Sequence, residues 1–195
     1  MAETWAAVVL AGGAARRLGG VDKVMQRVGG TPMLLRVIAA VRGATPIVVV
    51  GPESLRPRLP DRATLVADDP PGGGPVAGLA TGLAEVPAGA TMVAVLGGDL
   101  PFLSPEAVAL LRIAATKDGA VFVDGDGRRQ LLCGVWRAAA LHDRLAAVGD
   151  PYGVAVRTLV EGLAVAEVTW PAVEAPPWYD CDTDADLRHA QELTR

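Results

Sequence analysis

Cysteine is scarce in this 195-residue chain: only Cys133 and Cys181 are present, far apart in sequence. Two distant thiols exclude a disulfide framework, and their apolar, strand-like surroundings read as buried and reduced. Histidine is equally rare. His142 and His189 lie in polar helical stretches without metal-ligand spacing, so no structural zinc site is expected. No stretch approaches the roughly 18–20 uninterrupted apolar residues of a membrane span, and the start, Met1-Ala2-Glu3-Thr4, lacks the cationic region and apolar core of a secretory signal. The expectation is a cytoplasmic protein without a membrane partner. Excess positive charge is also missing: a net charge of −4 argues against a nucleic-acid face, so any phosphate binding has to be local. Lysine is nearly absent, with Lys23 and Lys117 the only two among 18 basic residues.

What is present describes a globular α/β chain. With 51% hydrophobic and 21% charged residues the sequence can bury a full core, and its length suits one domain spanning residues 1–195. The expected fold is a single-domain, three-layer α/β/α Rossmann-like sheet, mostly parallel with one antiparallel strand. Buried strands are predicted at 5–10, 46–50, 63–67, 91–96 and 119–123, and helices at 33–41, 76–85 and 107–115. Thr31 is expected to cap the first helix with Pro32 at its first position, Pro75 to start the second, and Ser104-Pro105 to cap and start the third. Asp124-Gly125-Asp126-Gly127 lacks the further ligands of a calcium loop and reads as a hairpin turn into an antiparallel strand at 130–136. Helical segments at 138–148 and 152–161, an apolar alternation at 164–168 and a last helix at 184–193, capped by Thr183 or Asp182, complete the chain.

The stretch Leu10-Ala11-Gly12-Gly13-Ala14-Ala15-Arg16-Arg17-Leu18-Gly19-Gly20-Val21-Asp22-Lys23 leaves the carboxyl end of the first strand. In open α/β sheets that edge is where ligands bind. Gly12, Gly13 and Gly19 permit close backbone approach to an anion, and Arg16, Arg17 and Lys23 add positive charge beside it. The stretch fits neither the G-x-G-x-x-G dinucleotide fingerprint nor the phosphate loop G-x-x-x-x-G-K-[ST]. In a chain that otherwise favours arginine, Lys23 supplies a compact ammonium where a planar fork would not fit.

Two further stretches share this edge. Asp68-Asp69, followed by a glycine run that includes Gly74, ends the third strand; these aspartates serve turn chemistry or ligand contact, with the register between them open. Asp99, in Gly97-Gly98-Asp99-Leu100-Pro101-Phe102, is a carboxylate held just beyond a buried strand and placed to ligate a hard divalent cation. In the tail, Asp180 and Asp182 alternate along a strand-like segment and can face one ligand together, a cation or a ribose.

These stretches resemble the nucleotidyltransferase superfamily, and most closely its molybdenum cofactor guanylyltransferases. The first loop is similar to their L-A-G-G-x-x-x-R-x-G-G-x-D-K signature at every fixed position. Further likenesses are Gly29-Gly30-Thr31-Pro32-Met33-Leu34, Asp68 with Gly74-Pro75-Val76-Ala77-Gly78, Gly98-Asp99-Leu100-Pro101-Phe102 and Arg129-Gln130-Leu131-Leu132. The tail departs from the family: Asp180-Cys181-Asp182-Thr183 stands where N-x-N-T is usual. The resemblance implies transfer of GMP from GTP to molybdenum-bearing molybdopterin with release of pyrophosphate. It places Arg17, Lys23 and Asp99 at the chemistry, Mg²⁺ on Asp99, and nucleotide contacts along Leu10, Ala11, Gly12, Gly13, Gly19, Asp68, Gly74, Asp180 and Asp182. Backbone N–H groups of residues 11–13 are expected to face the phosphates. Asp22 favours guanine, since cytidylyltransferases of the same cofactor tend to have proline before the lysine. A cytidylyltransferase and a non-catalytic nucleotide-binding regulator are the alternatives. Transient contact with proteins that deliver or accept the cofactor is also expected.

Overall fold

The computed structural model describes residues 4–12, 23–67, 72–171 and 174–194. Strands rich in valine and alanine run through the centre because both faces of the sheet are covered. In chain order the strands are β1 (Trp5–Leu10), β2 (Arg27–Val28), β3 (Thr31–Pro32), β4 (Ile47–Val50), β5 (Ala63–Val66), β6 (Met92–Gly97), β7 (Gly119–Val123), β8 (Arg129–Arg137) and β9 (Val165–Val168). The α-helices are α1 (Met33–Ala40), α2 (Pro75–Ala84), α3 (Pro105–Ala114), α4 (Ala138–Val148), α5 (Val156–Leu159) and α6 (Asp184–Glu192).

Seven strands form one sheet in the order β5-β4-β1-β6-β8-β7-β9, in which only β8 runs antiparallel to its neighbours. Alternation along β1 divides the core in two. Trp5, Ala7 and Val9 face a cluster built with α1 and α3, while Ala6 and Val8 face α2, α4 and α5. The result is the expected three-layer α/β/α arrangement, with the carboxyl ends of β1, β4, β5 and β6 at one edge. Among the described residues no helix is long and apolar enough to cross a membrane.

Several local expectations hold. Pro75 and Pro105 start their helices, and the Ser104 hydroxyl accepts from the Ala107 N–H at 3.2 Å. Thr183 and Asp186 form a reciprocal capping box at α6. Both cysteines are free and buried.

Two expectations are corrected. Thr31 does not cap α1: it pairs with Val28 in the short hairpin β2-β3, and Pro32, with ψ of 138°, is the extended residue before the helix. The helix expected over 152–161 is reduced to Val156–Leu159, because Gly153 and Gly162 take positive φ of 70° and 81° and confine it between two turns.

A third, smaller cluster matters for the site. Val28, Met33, Cys181 and Ala190 are buried together, with Phe102, Tyr179 and Leu187 against them. This cluster brings the tail back to the hairpin and to the loop after β6. The Phe102 and Tyr179 rings meet edge-on at 5.7 Å.

Gly82 shows how tightly α2 lies on the sheet. A Cβ there would fall 2.5 Å from Val8 Cγ1 and 2.9 Å from Val50 Cγ2, both on central strands. Gly82→Ala is expected to lose about 1–3 kcal/mol of stability by overpacking, outweighing the roughly 1 kcal/mol that alanine gains in helix propensity. Urea unfolding measures this; a variant as stable as the parent refutes the close packing.

Candidate active site

Lys23 opens a one-turn 3₁₀ helix, Lys23–Met25, whose three residues are all buried. Val24 and Met25 belong to the core on the α1 and α3 side, so the backbone that carries Lys23 is anchored. Asp99 follows β6, the strand beside β1. Its approach depends on two glycines. The Gly98 N–H donates to the Leu10 carbonyl at 2.9 Å, and a Cβ on Gly98 would stand 3.1 Å from Val24 Cγ1. A Cβ on Gly97 would stand 2.9 Å from Asp99 Oδ1. Small residues before the carboxylate therefore let it fold back beside the end of β1.

Asp182 arrives from the tail. Cys181 anchors it on one side in the small third cluster, and the capping box fixes the other: the Thr183 N–H donates to Asp186 Oδ2 at 2.7 Å. Between these anchors Asp182 projects toward Lys23. The ammonium donates to Asp99 Oδ2 and to Asp182 Oδ1, each at 2.5 Å. Lys23 is 6% exposed, Asp99 22% and Asp182 67%. Water therefore screens the outer carboxylate far more than the inner one.

The electrostatics follow from this geometry. Burial alone lowers the pKa of an ammonium, but the hydrogen bonds and charges of Asp182 and Asp99 overcome it and hold Lys23 above its ordinary value. Asp180 shifts the other way from a usual paired carboxylate: partial desolvation, then repulsion from Asp182 and Asp99, raises its pKa. The Cys181 thiol is pushed up to about 12 by burial and by the charge of Asp99, so it stays protonated.

The structure brings Lys23, Asp99 and Asp182 into direct contact, with Asp180 close enough to feel their charges. Residues 180–182 belong to no strand. Leu10 and Ala11 lie at the same sheet edge, and Gly12 is exposed beside them. One expectation is corrected here: the Ala11 N–H does not face a ligand but donates to the Val50 carbonyl at 2.8 Å, continuing the β1-β4 pairing by one residue. Gly74 sits at the start of α2 with φ of 89°, on the edge where β5 ends. Gly13, Arg16, Arg17, Gly19, Asp22, Asp68 and Asp69 lie outside the described residues.

Arg36 is a participant that sequence reasoning missed. Its Nε donates to the Val28 carbonyl at 2.9 Å and its Nη1 to the Pro101 carbonyl at 3.2 Å. It thus ties the hairpin to the loop that carries Asp99. The available signal was a single charge within the apolar run of α1, which reads equally as an ordinary exposed position.

Two carboxylate oxygens converging on one cation form an all-oxygen donor pair suited to a hard divalent ion, with the Lys23 ammonium as its stand-in. Among the described residues no group of three or more His, Cys, Asp or Glu is arranged to hold a metal ion. One or two carboxylates plus substrate phosphates is the usual arrangement for magnesium.

Residues 7–167 match the family described as MobA-like NTP transferase domain. The molybdenum cofactor guanylyltransferase of Bradyrhizobium sp. (strain ORS 278) is 34% identical over 196 residues, covering 95% of this chain and 91% of that protein. Among solved structures, molybdopterin-guanine dinucleotide biosynthesis protein A from Archaeoglobus fulgidus superposes with a TM-score of 0.69 at 21% identity, covering 96% of this chain and 97% of that one. The 2-C-methyl-D-erythritol 4-phosphate cytidylyltransferase from Thermus thermophilus superposes with a TM-score of 0.72 at 21% identity, covering 98% and 99%. These two structural likenesses establish the fold, and they are shared by proteins named for different nucleotides.

The raised pKa of Asp180 carries a sign. Its ionised form is disfavoured in the folded chain, so it costs stability above the folded pKa, and that cost vanishes as pH falls below the unfolded carboxylate value. Asp180→Asn is expected to raise the melting temperature of the protein at neutral pH, with the gain shrinking as pH falls through the raised folded pKa and gone below about pH 4, the unfolded carboxylate value. Thermal unfolding followed by circular dichroism across that range tests it; a gain independent of pH contradicts the electrostatic account.

Proposed function

Because the chain belongs to the MobA-like NTP transferase family and is a nucleotidyltransferase, we propose that it transfers GMP from GTP to molybdenum-bearing molybdopterin, releasing pyrophosphate. The observation that carries this reading is the meeting of Lys23 and Asp99, each from a signature stretch, at 2.5 Å on the carboxyl edge of the sheet. The chain acts as one nucleotidyltransferase domain over residues 1–195, in the cytoplasm. Its cofactor-handling protein partners bind transiently.

The terminal phosphate of the acceptor is already an anion, so its oxygen attacks the α-phosphorus without a general base, and pyrophosphate leaves from the opposite side. Catalysis then rests on positioning and charge neutralisation. The Lys23 ammonium, kept protonated by its carboxylate neighbours, neutralises the β- and γ-phosphates. Arg17 adds a second cation on the same group. Gly12, Gly13 and Gly19 would give the close backbone approach, Leu10 and Ala11 would line the nucleotide's edge, and Asp68 with Gly74 would contact the base and ribose. Asp99 would hold Mg²⁺, with Asp182 placed beside it through the Lys23 ammonium and Asp180 on the same tail segment. When bound, that ion supplies charge neutralisation at the nucleotide phosphates. Asp22, before the lysine, supports guanine.

Lys23→Ala and Asp99→Ala are each expected to reduce GMP transfer by about a hundredfold or more, the scale of a lost electrostatic catalytic group, with circular dichroism unchanged. Near-normal turnover in either variant removes its assigned role. Calorimetry with Mg²⁺ is expected to show tighter binding of GTP than of CTP. The reverse preference makes the protein a cytidylyltransferase, and tight GTP binding without pyrophosphate release in the presence of loaded acceptor makes it a regulator.

A further inference from the structure

We infer that Lys23 is the resident counter-ion of the nucleotide-free site. It keeps a divalent cation off Asp99 until the nucleotide's phosphates draw the ammonium away, and Asp182 is the positioning residue that holds it there. The inference rests on the reading of this site as a nucleotide and metal centre.

Competition for the same oxygens is the first support. Lys23 donates to Asp99 Oδ2 and Asp182 Oδ1 at 2.5 Å each, which uses two of the three hydrogens of its ammonium. A magnesium ion binds a carboxylate oxygen at about 2.0–2.1 Å. An ion on Asp99 Oδ2 would take the place of the ammonium there, so the two cations compete for that oxygen.

The second support is where the freedom to yield lies. The main chain at Lys23 is pinned, since Val24 and Met25 are buried and the Gln26 N–H donates to the Lys23 carbonyl at 3.0 Å. Asp182 is pinned by Cys181 and the capping box on either side. Asp99 is pinned by the Gly98 contact to Leu10. The flexible part of the cluster is the four-carbon stem of Lys23. A polyphosphate is the ligand whose charge competes with two carboxylates for that ammonium.

Metal and nucleotide binding are then linked through Lys23, and the linkage is reciprocal. Nucleotide tightens metal by freeing the Asp99 carboxylate, and metal tightens nucleotide by freeing the ammonium. Asp182 acts through Lys23 rather than on the reacting atoms.

The test uses the full-length protein without acceptor and Mn²⁺ as the probe, read by the paramagnetic resonance signal of the free ion. Lys23→Met keeps the apolar stem and removes the charge; without nucleotide it is expected to bind Mn²⁺ at least about tenfold more tightly than the wild type, a ratio equivalent to one pKa unit. In Lys23→Met/Asp99→Asn that gain disappears.

A second measurement needs no change at Lys23. Lys23 and Lys117 are the only lysines, so competitive acetylation read by mass spectrometry compares Lys23 with an internal reference in the same molecule. Asp182→Asn is expected to raise Lys23 acetylation several-fold relative to Lys117, and Asp182→Glu to restore most of the protection. Equal Mn²⁺ affinity of wild type and Lys23→Met without nucleotide, or unchanged acetylation in Asp182→Asn, overturns the inference. A protein that transfers GMP yet binds Mn²⁺ regardless of Lys23 loses this inference alone. One that excludes Mn²⁺ through Lys23 yet transfers no GMP loses only the proposed activity.

Discussion

An ammonium taken out of water needs carboxylates beside it, and at Lys23 that need joins three distant parts of the chain. Asp99 lies 76 residues away and Asp182 lies 159 residues away. Removing one partner from a buried ion pair costs about 3–5 kcal/mol, because a charge is left without compensation. For the inner partner, Asp99, which is 22% exposed, that scale is an upper bound, because Asp182 stays on the ammonium when Asp99 is removed; the outer one, at 67%, is worth less to stability and acts mainly on where the ammonium sits.

The sheet order is what makes this convergence possible. β1 and β6 are adjacent and parallel, so Asp99, just past the end of β6, stands at the edge where β1 ends and meets Lys23 there. Gly98 then removes the side chain that would push against Val24 and the end of β1, and Gly97 leaves room for the Asp99 carboxylate itself. Arg36 closes the arrangement from below by donating to carbonyls of both the hairpin and the β6 loop. The tail completes it. Cys181 serves as a small apolar anchor, not a reactive thiol, and the helix cap that follows aims Asp182.

Among the described residues, Asp99, Asp180 and Asp182 gather around one lysine at this site. Partial burial, with the neighbouring charges of Asp182 and Asp99 added to it, raises the Asp180 pKa. Such a centre suits chemistry in which a divalent cation and a polyphosphate arrive and rebalance the charge. Neither a nucleophilic side chain nor a general base is required for an acceptor that is already anionic.

Much of this was legible in the sequence, for identifiable reasons. Short valine-rich runs ending in glycine specify buried parallel strands, and Pro75, Ser104-Pro105 and Thr183 specify helix starts through their own backbone chemistry. Lys23 and Asp99 stood out because each followed such a strand. Where local signals competed with neighbours in space, the sequence reading failed. Thr31 was taken by a hairpin partner, the segment at 152–161 was broken by two glycine turns, and the Ala11 N–H was claimed by Val50. Only the tertiary structure decided that Asp182 shares the Lys23 ammonium with Asp99 and that Arg36 braces their loops, because those contacts depend on the packing of a tail and a helix face against distant turns. The sequence by itself determined which charges stand at the strand ends; the fold determined which of them meet, since a hydrogen bond at 2.5 Å between residues 159 apart is set by the packing of everything between them.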